Sequence, residues 1–205
     1  MNSEKLKIKV LDNKPVISRF ARYSFLAIAL FIIHCSLFTS APAQSRDFLT
    51  DDEVELIRDA QQIDMRIEVL TRAIDRRFEV LKVNSGAAPL PKKDPREWGK
   101  MPEGTRLQLL NDIKRILEKA IDDIDNLSER PDSMVVDEAE KGKKVKGFAE
   151  LFPKAVRDLA KAATRYQSVL KTELDKTTDN MEKGVILASI DSCDQIIASV
   201  AKLKN

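Results

Sequence analysis

The first long run with a clear pattern spans Thr50 to Lys82. Its apolar positions are Leu56, Ala60, Ile63, Ile67, Leu70, Ile74, Phe78 and Leu81, spaced by steps of three and four residues. A helix advances about 100° per residue, so these side chains make one stripe, with charged residues around the remaining surface. Thr50 followed by Glu53 has the form of a capping box, and Asp51 and Asp52 suit the positive end of the helix dipole. The pattern predicts one helix over about 50–83. A lone amphipathic helix cannot keep its stripe out of water, so the rest of the chain has to supply partner helices.

Three further segments carry the same period. Leu107, Leu110, Leu117, Ile121, Ile124 and Leu127 predict a helix over about 105–128, with Thr105 and Gln108 as a second capping box and Pro131 beyond its end. Val156, Leu159, Ala163, Tyr166, Leu170 and Leu174 predict a third over about 150–176, with Pro153 in its first turn. Asp179 and Glu182 mark a fourth start, and Ile186, Ile190, Cys193, Ile197 and Val200 carry the stripe to about 203. Gly184 inside it costs roughly 1 kcal/mol relative to alanine, which suggests a bend or a close helix approach.

The connectors are punctuated by proline and glycine. Residues 84–104 hold Pro89, Pro91, Pro95 and Pro102, and residues 130–147 carry a lysine run. The fold class that follows is all-α, a four-helix bundle with up-down-up-down topology as the first expectation. The two long connectors also leave a double-crossover arrangement open.

Composition changes the picture at the N-terminus. Lys5, Lys7, Lys9, Lys14, Arg19 and Arg22 precede an almost uncharged run, Ser24 to Phe38, and Ala41-Pro42-Ala43 has the form of a cleavage site. Residues 1–43 therefore read as a signal peptide cleaved after Ala43, with residues 44–205 as a single periplasmic or secreted domain. The run is about 15 residues, shorter than the 18 or more of a spanning helix, which weighs against an uncleaved anchor. The full chain has 35 basic and 33 acidic residues; six basic and two acidic ones lie in 1–43, leaving 29 against 31. The slight basic excess belongs to the leader and points to no nucleic-acid partner.

The same cut removes His34, the one histidine, and Cys35, leaving Cys193 as the single thiol of the processed chain. An intramolecular disulfide is then impossible, and Cys193 is either a buried small hydrophobe or an intermolecular bridge. Haem, di-iron and Glu-x-x-His metal sites need histidine, as does serine or cysteine catalysis with a histidine base. No enzyme, cofactor or metal is expected.

Phe48-Leu49-Thr50, the acidic pair after it, Arg58-x-Ala60-Gln61 and Arg66-Ile67 resemble the opening of an uncharacterised family of predicted secreted helical proteins from acidobacteria. The region from Asp132 to Ala160 adds to the likeness. The resemblance implies export and a helical fold, and carries over no activity and no site.

Four features remain as candidate chemistry. Asp122-Asp123-Ile124-Asp125 lacks the glycine and distal glutamate of a calcium loop and reads as a solvated helix face. Gly142-Lys-Lys-Val-Lys-Gly147 lacks the Lys-Ser/Thr of a phosphate loop; Lys143, Lys144 and Lys146 form a basic patch able to meet an anionic partner. Trp98, the sole tryptophan, is either a plug folding its loop over the helices or an anchor for a partner. Asn126-Leu-Ser128 matches a glycosylation sequon inside a predicted helix. The expected function is a non-enzymatic interaction or scaffold protein, its partner another envelope protein or a second copy. The alternative is a carrier of a small apolar ligand or lipid within the bundle, with 84–104 as its lid.

Overall fold

The computed structural model describes residues 46–88, 96, 98–133 and 147–203. Asp47–Asn205 forms one compact unit. The signal-peptide reading of 1–43 and the lysines Lys143, Lys144 and Lys146 lie outside the described residues.

The described chain is all-helical: α1 Asp51–Asp59, α2 Ile63–Val80, α3 Arg106–Glu129, α4 Phe148–Lys176 and α5 Asn180–Ser199, with short 3-10 turns at Pro131–Ser133 and Val200–Lys202. Both predicted capping boxes form, at Thr50 with Glu53 and at Thr105 with Gln108, and the Asp179 side chain caps the backbone N–H of Met181. Each satisfies N–H groups that a helix start leaves without an intrahelical acceptor.

The single helix expected over 50–83 is two helices. The chain breaks at Ala60–Gln62, where neither glycine nor proline stands, and the Arg66 Nε–H donates to the Ala60 carbonyl at 3.1 Å. The physical reason lies further along. Arg76 Nη1 donates to Glu53 Oε1 at 2.9 Å. In one straight helix those residues would stand about 35 Å apart at 1.5 Å per residue. The chain has to fold back for the two to meet, and α1 therefore lies along α2. The buried face of α1 is Glu53, Ile57 and Ala60, one position round from the Leu56 stripe read in the sequence.

Helix α4, the third of the four expected, begins at Phe148, two residues before the expected start, so Pro153 falls in its second turn rather than its first. The proline has no N–H to give the Ala149 carbonyl, which is tolerable because Ala149 is exposed. Gly184 also departs from expectation. A Cβ built there would meet nothing within 4 Å, so no helix approaches it closely.

Helix α2 packs on α3 and α4, and α5 packs on α3 and α4 from their other side, while α3 and α4 touch only sparingly. Directions follow from the cross-links. Lys154 meets Asp64 at 3.1 Å and Arg165 meets Asp75 at 3.4 Å, so α2 and α4 run parallel. Arg106, at the start of α3, bonds Glu173 at the end of α4 (2.8 Å) and Glu182 at the start of α5 (3.1 Å). Thus α3 runs opposite to α4 and alongside α5. The core between them is apolar and fully enclosed: Ile67, Leu70, Ile74, Phe78, Ile113, Ile116, Leu117, Tyr166 and Leu170 are all but inaccessible. Phe78 and Tyr166 rings lie 5.6 Å apart, and the Tyr166 hydroxyl donates to the Thr71 carbonyl at 2.8 Å. Burying these side chains is the main favourable term in such a fold. Cys193 is buried in the same interior, and burial, together with Asp194, pushes its thiol up to about 12.

The Arg106–Glu173 clasp is pH-sensitive in a defined direction. Burial raises the Glu173 pKa, but hydrogen bonds from Lys176 and Arg106 outweigh it and hold the carboxyl below its ordinary value of 4.5. A depressed carboxylate contributes stability that is complete above the unfolded-state pKa and lost as pH falls through the folded one. Urea unfolding of Glu173→Gln should show a clear loss at pH 7 that shrinks as pH falls below the carboxyl's ordinary 4.5 and through its lowered folded-state pKa.

Candidate functional site

The elbow between α1 and α2 gathers most of the buried charge described in the chain. Arg76 and Arg77 sit on the last turns of α2, where every residue from Ala73 to Phe78 is buried. Both guanidiniums donate to Glu53 Oε1, while Glu53 Oε2 accepts the Thr50 backbone N–H at 3.0 Å. Arg77 also donates to the carbonyls of Ala73 (2.9 Å) and Phe48 (2.7 Å), and its Nε stands 3.9 Å from Asp112 Oδ2 on α3. Two cations face two carboxylates, which is the condition for keeping such charges in an interior at all. Burial pulls the Arg76 guanidinium below its ordinary pKa, Glu53 opposes that pull, and neighbouring Arg77 adds to it.

The segment around Trp98 is fastened to this cluster. Arg76 Nη2 donates to the Gly99 and Lys100 carbonyls. Trp98 is only 8 % exposed, with the Arg76 guanidinium 5.7 Å from its ring centroid and that of Arg96 at 5.4 Å. Guanidinium groups over an indole face are mutually stabilising. The tryptophan side chain is buried against these two arginines. Gly99 has φ +58°, and a Cβ added there would fall 1.7 Å from the Asp52 carboxylate. Only glycine lets the segment pass this close to α1.

Outside the cluster, the same elements border an open groove of about 500 Å³. Leu56, Ala60, Met65 and Val69 supply its apolar floor. Asp52, Glu55 and Asp59 line it from α1, and Arg96 closes it from the Trp98 segment. Arg96 is itself bonded to Glu68 at 2.8 Å, and Glu55 to Arg58 at 2.7 Å. Asp52 and Asp59 carry the surplus negative charge. Such a volume falls within the roughly 300–1,000 Å³ of ordinary ligand sites.

A second cavity, lined by Ile121, Ile124, Val156, Leu159 and Ile196 among others, holds only about 50 Å³. Asp123, from the acidic run, pairs with Lys119 at 3.1 Å along one face of α3, while Asp122 and Asp125 are exposed. Among the described residues no three histidine, cysteine or acidic side chains stand together as a metal site.

Sequence reasoning missed Glu53, Arg76 and Arg77 as a unit, and it missed the groove. The capping-box spacing found Glu53 but gave it one partner instead of three. The adjacent Arg76-Arg77 pair looks like an ordinary solvated helix face, and nothing local distinguishes it.

Comparison with protein-family models, with curated proteins and with solved structures finds no match to this chain.

Two substitutions test the elbow. Glu53→Gln strips the shared carboxylate from two buried guanidiniums and should cost about 3–5 kcal/mol, read as a lowered denaturation midpoint in urea. Gly99→Ala forces a left-handed alanine against Asp52 and should cost about 1–3 kcal/mol, with a change in Trp98 fluorescence as its segment shifts.

Proposed function

We propose that this is a non-enzymatic helical interaction or scaffold protein, exported by a signal peptide cleaved after Ala43, whose four long helices α2–α5 form a four-helix bundle of alternating direction. The pairwise packing and the cross-links between helices support the bundle. The leader composition and the resemblance of residues 48–67 to secreted helical proteins support export to the periplasm or beyond.

One observation carries the interaction reading. The last helix and its following turn, Asn180–Lys202, contain an 18-residue window of mean hydropathy 1.4, of which only 28 % is buried. Its inner side, Ile186, Ser189, Ile190, Cys193 and Ile196, is covered by the rest of the fold. Its outer side leaves Met181 66 % and Leu187 50 % exposed, with Gly184 opening onto empty space beside them. By length and composition alone this helix is apolar enough to cross a membrane. Asp191 and Asp194 stand in its middle, however, and Asp194 accepts a hydrogen bond from Gln167 of α4. A helix fixed to its neighbours on one side, with Met181, Gly184, Leu187 and Ala198 exposed beside Asp191 and Asp194 on the other, is better served by a protein partner, another envelope protein or a second copy, than by lipid. The carrier reading requires room between the helices; the cavity described beside Ile121, Ile124 and Val156 is about 50 Å³, sized for water rather than an acyl chain.

The reading is tested with a photoreactive residue at Leu187 in cells making the full chain. A discrete cross-linked adduct should form there and not from Lys171, an exposed position of α4. Paired Met181→Glu and Leu187→Glu substitutions should leave the helical circular dichroism unchanged and reduce association at least about tenfold in sedimentation. Equal labelling from both positions would sink the reading.

A further inference from the structure

The groove between α1 and α2 has a polarity and a geometry that specify an occupant more narrowly than its volume does. Asp52, Glu55 and Asp59 lie at i, i+3 and i+7 of α1, on one side of the helix, and all three are exposed. Seven residues of helix make about 10.5 Å, two turns, so Asp52 and Asp59 mark the ends of a line one heptad long. Asp59 is the last residue of α1, where its charge adds to the negative end of the helix dipole instead of offsetting it. Two cations beside the groove among the described residues are already engaged: Arg96 with Glu68, and Arg58 with both oxygens of Glu55. Beside this acidic line runs the apolar floor, and Met65, 48 % exposed, stands at the mouth. Methionine is a pliable surface for apolar side chains of varied shape.

We propose that this groove docks an amphipathic basic helix of a partner protein, with two cationic residues seven apart meeting Asp52 and Asp59 and an apolar side chain between them seated among Leu56, Met65 and Val69. The match is of charge and of period. A helix presents positions i, i+3 or i+4, and i+7 on one face, so a Lys-x-x-Leu-x-x-x-Lys pattern sets its cations against the carboxylates while its leucine meets the floor. Electrostatic complementarity sets register and speeds encounter, and the apolar insertion supplies the affinity. This surface lies on α1 and α2, not on α5, and the proposal stands independently of what covers α5.

The test uses a fluorescein-labelled 18-residue peptide repeating that pattern, titrated into the full chain and followed by anisotropy. Saturable binding is expected, weakening at least tenfold with Asp52→Asn/Asp59→Asn and with Met65→Glu, and weakening as salt rises. Because these three positions are exposed, their variants keep the native helical signal. A peptide with glutamate for lysine should not bind, and one with serine for leucine should bind at least tenfold more weakly. The Met181→Glu/Leu187→Glu chain should bind the peptide like the parent; loss there would place the contact on α5 and overturn the groove. Absence of binding to about 1 mM would overturn it too, as would equal affinity for the two-asparagine variant or the leucine-free peptide.

Discussion

The interaction on which the rest depends is the sharing of one carboxylate, Glu53, between two arginines that follow it by 23 and 24 residues. An ion removed from water costs several kcal/mol after relaxation, so a buried glutamate persists only where nearly all of its acceptor capacity is used. Glu53 uses it on the Thr50 N–H and on both guanidiniums. Further guanidinium N–H groups donate to backbone carbonyls at Phe48, Ala73, Gly99 and Lys100, while Arg77 Nε faces the Asp112 carboxylate at 3.9 Å. One charge cluster thereby fixes the chain before α1, the last turns of α2 and the segment leading to α3. It also requires the break at Ala60–Gln62, since a continuous helix would separate the partners by about 35 Å. The groove outside is a by-product of the same fold-back, because α1 laid along α2 leaves a valley where the two surfaces meet.

What was legible in the sequence is what depends on short range. The capping boxes at Thr50 and Thr105 need only a residue and its third neighbour, and both form. The stripe Ile63, Ile67, Leu70, Ile74, Phe78 needs only the helical period, and all five are buried. Trp98 was recognisable as notable, but its inward orientation rests on Arg76, 22 residues earlier, and on contacts no local pattern reports. The elbow was illegible for the same reason. Its cause is a bond across 23 residues, while the residues at the break, Ala60-Gln61-Gln62, are ordinary helix formers. Pro153 misled in the opposite way: the first-turn rule is a statistical preference, and the exposed Ala149 carbonyl lets water stand in for the missing donor.

Helix α5 differs in kind from the others. Helices α1 to α4 bury one side and charge the other, so their amphipathicity explains their exposure. α5 is apolar on average yet packs by a single face. A heptad-like reading of Ile186, Ile190, Cys193 and Ile197 found the inner face and was silent on Met181 and Leu187, because periodicity measures where apolar residues recur and not whether the chain has enough surface to cover them all. The open space beside Gly184 fits the same picture. Gly184, with nothing within 4 Å of a Cβ there, lies exposed beside Met181 and Leu187, where a neighbouring backbone could approach closely.

The two surfaces also have a spatial relation. Helices α2 and α5 each pack on both α3 and α4, so the outer sides of α2 and α5 point away from one another across that pair. The acidic groove, built on α1 and α2, and the apolar face of α5 are therefore available at once, and their chemistries are opposed. On the proposed reading, the first would select cationic amphipathic helices by charge and spacing, with a grip that salt weakens because the carboxylates are exposed. The second would engage its partner mainly through Met181 and Leu187, a contact that salt does not weaken. In the proposed scaffold role the two faces would hold two different partners, and the enclosed core between Ile67 and Leu170 would keep their separation constant. Specificity in such a role would reside at the two faces, while the packed interior would transmit position rather than chemistry.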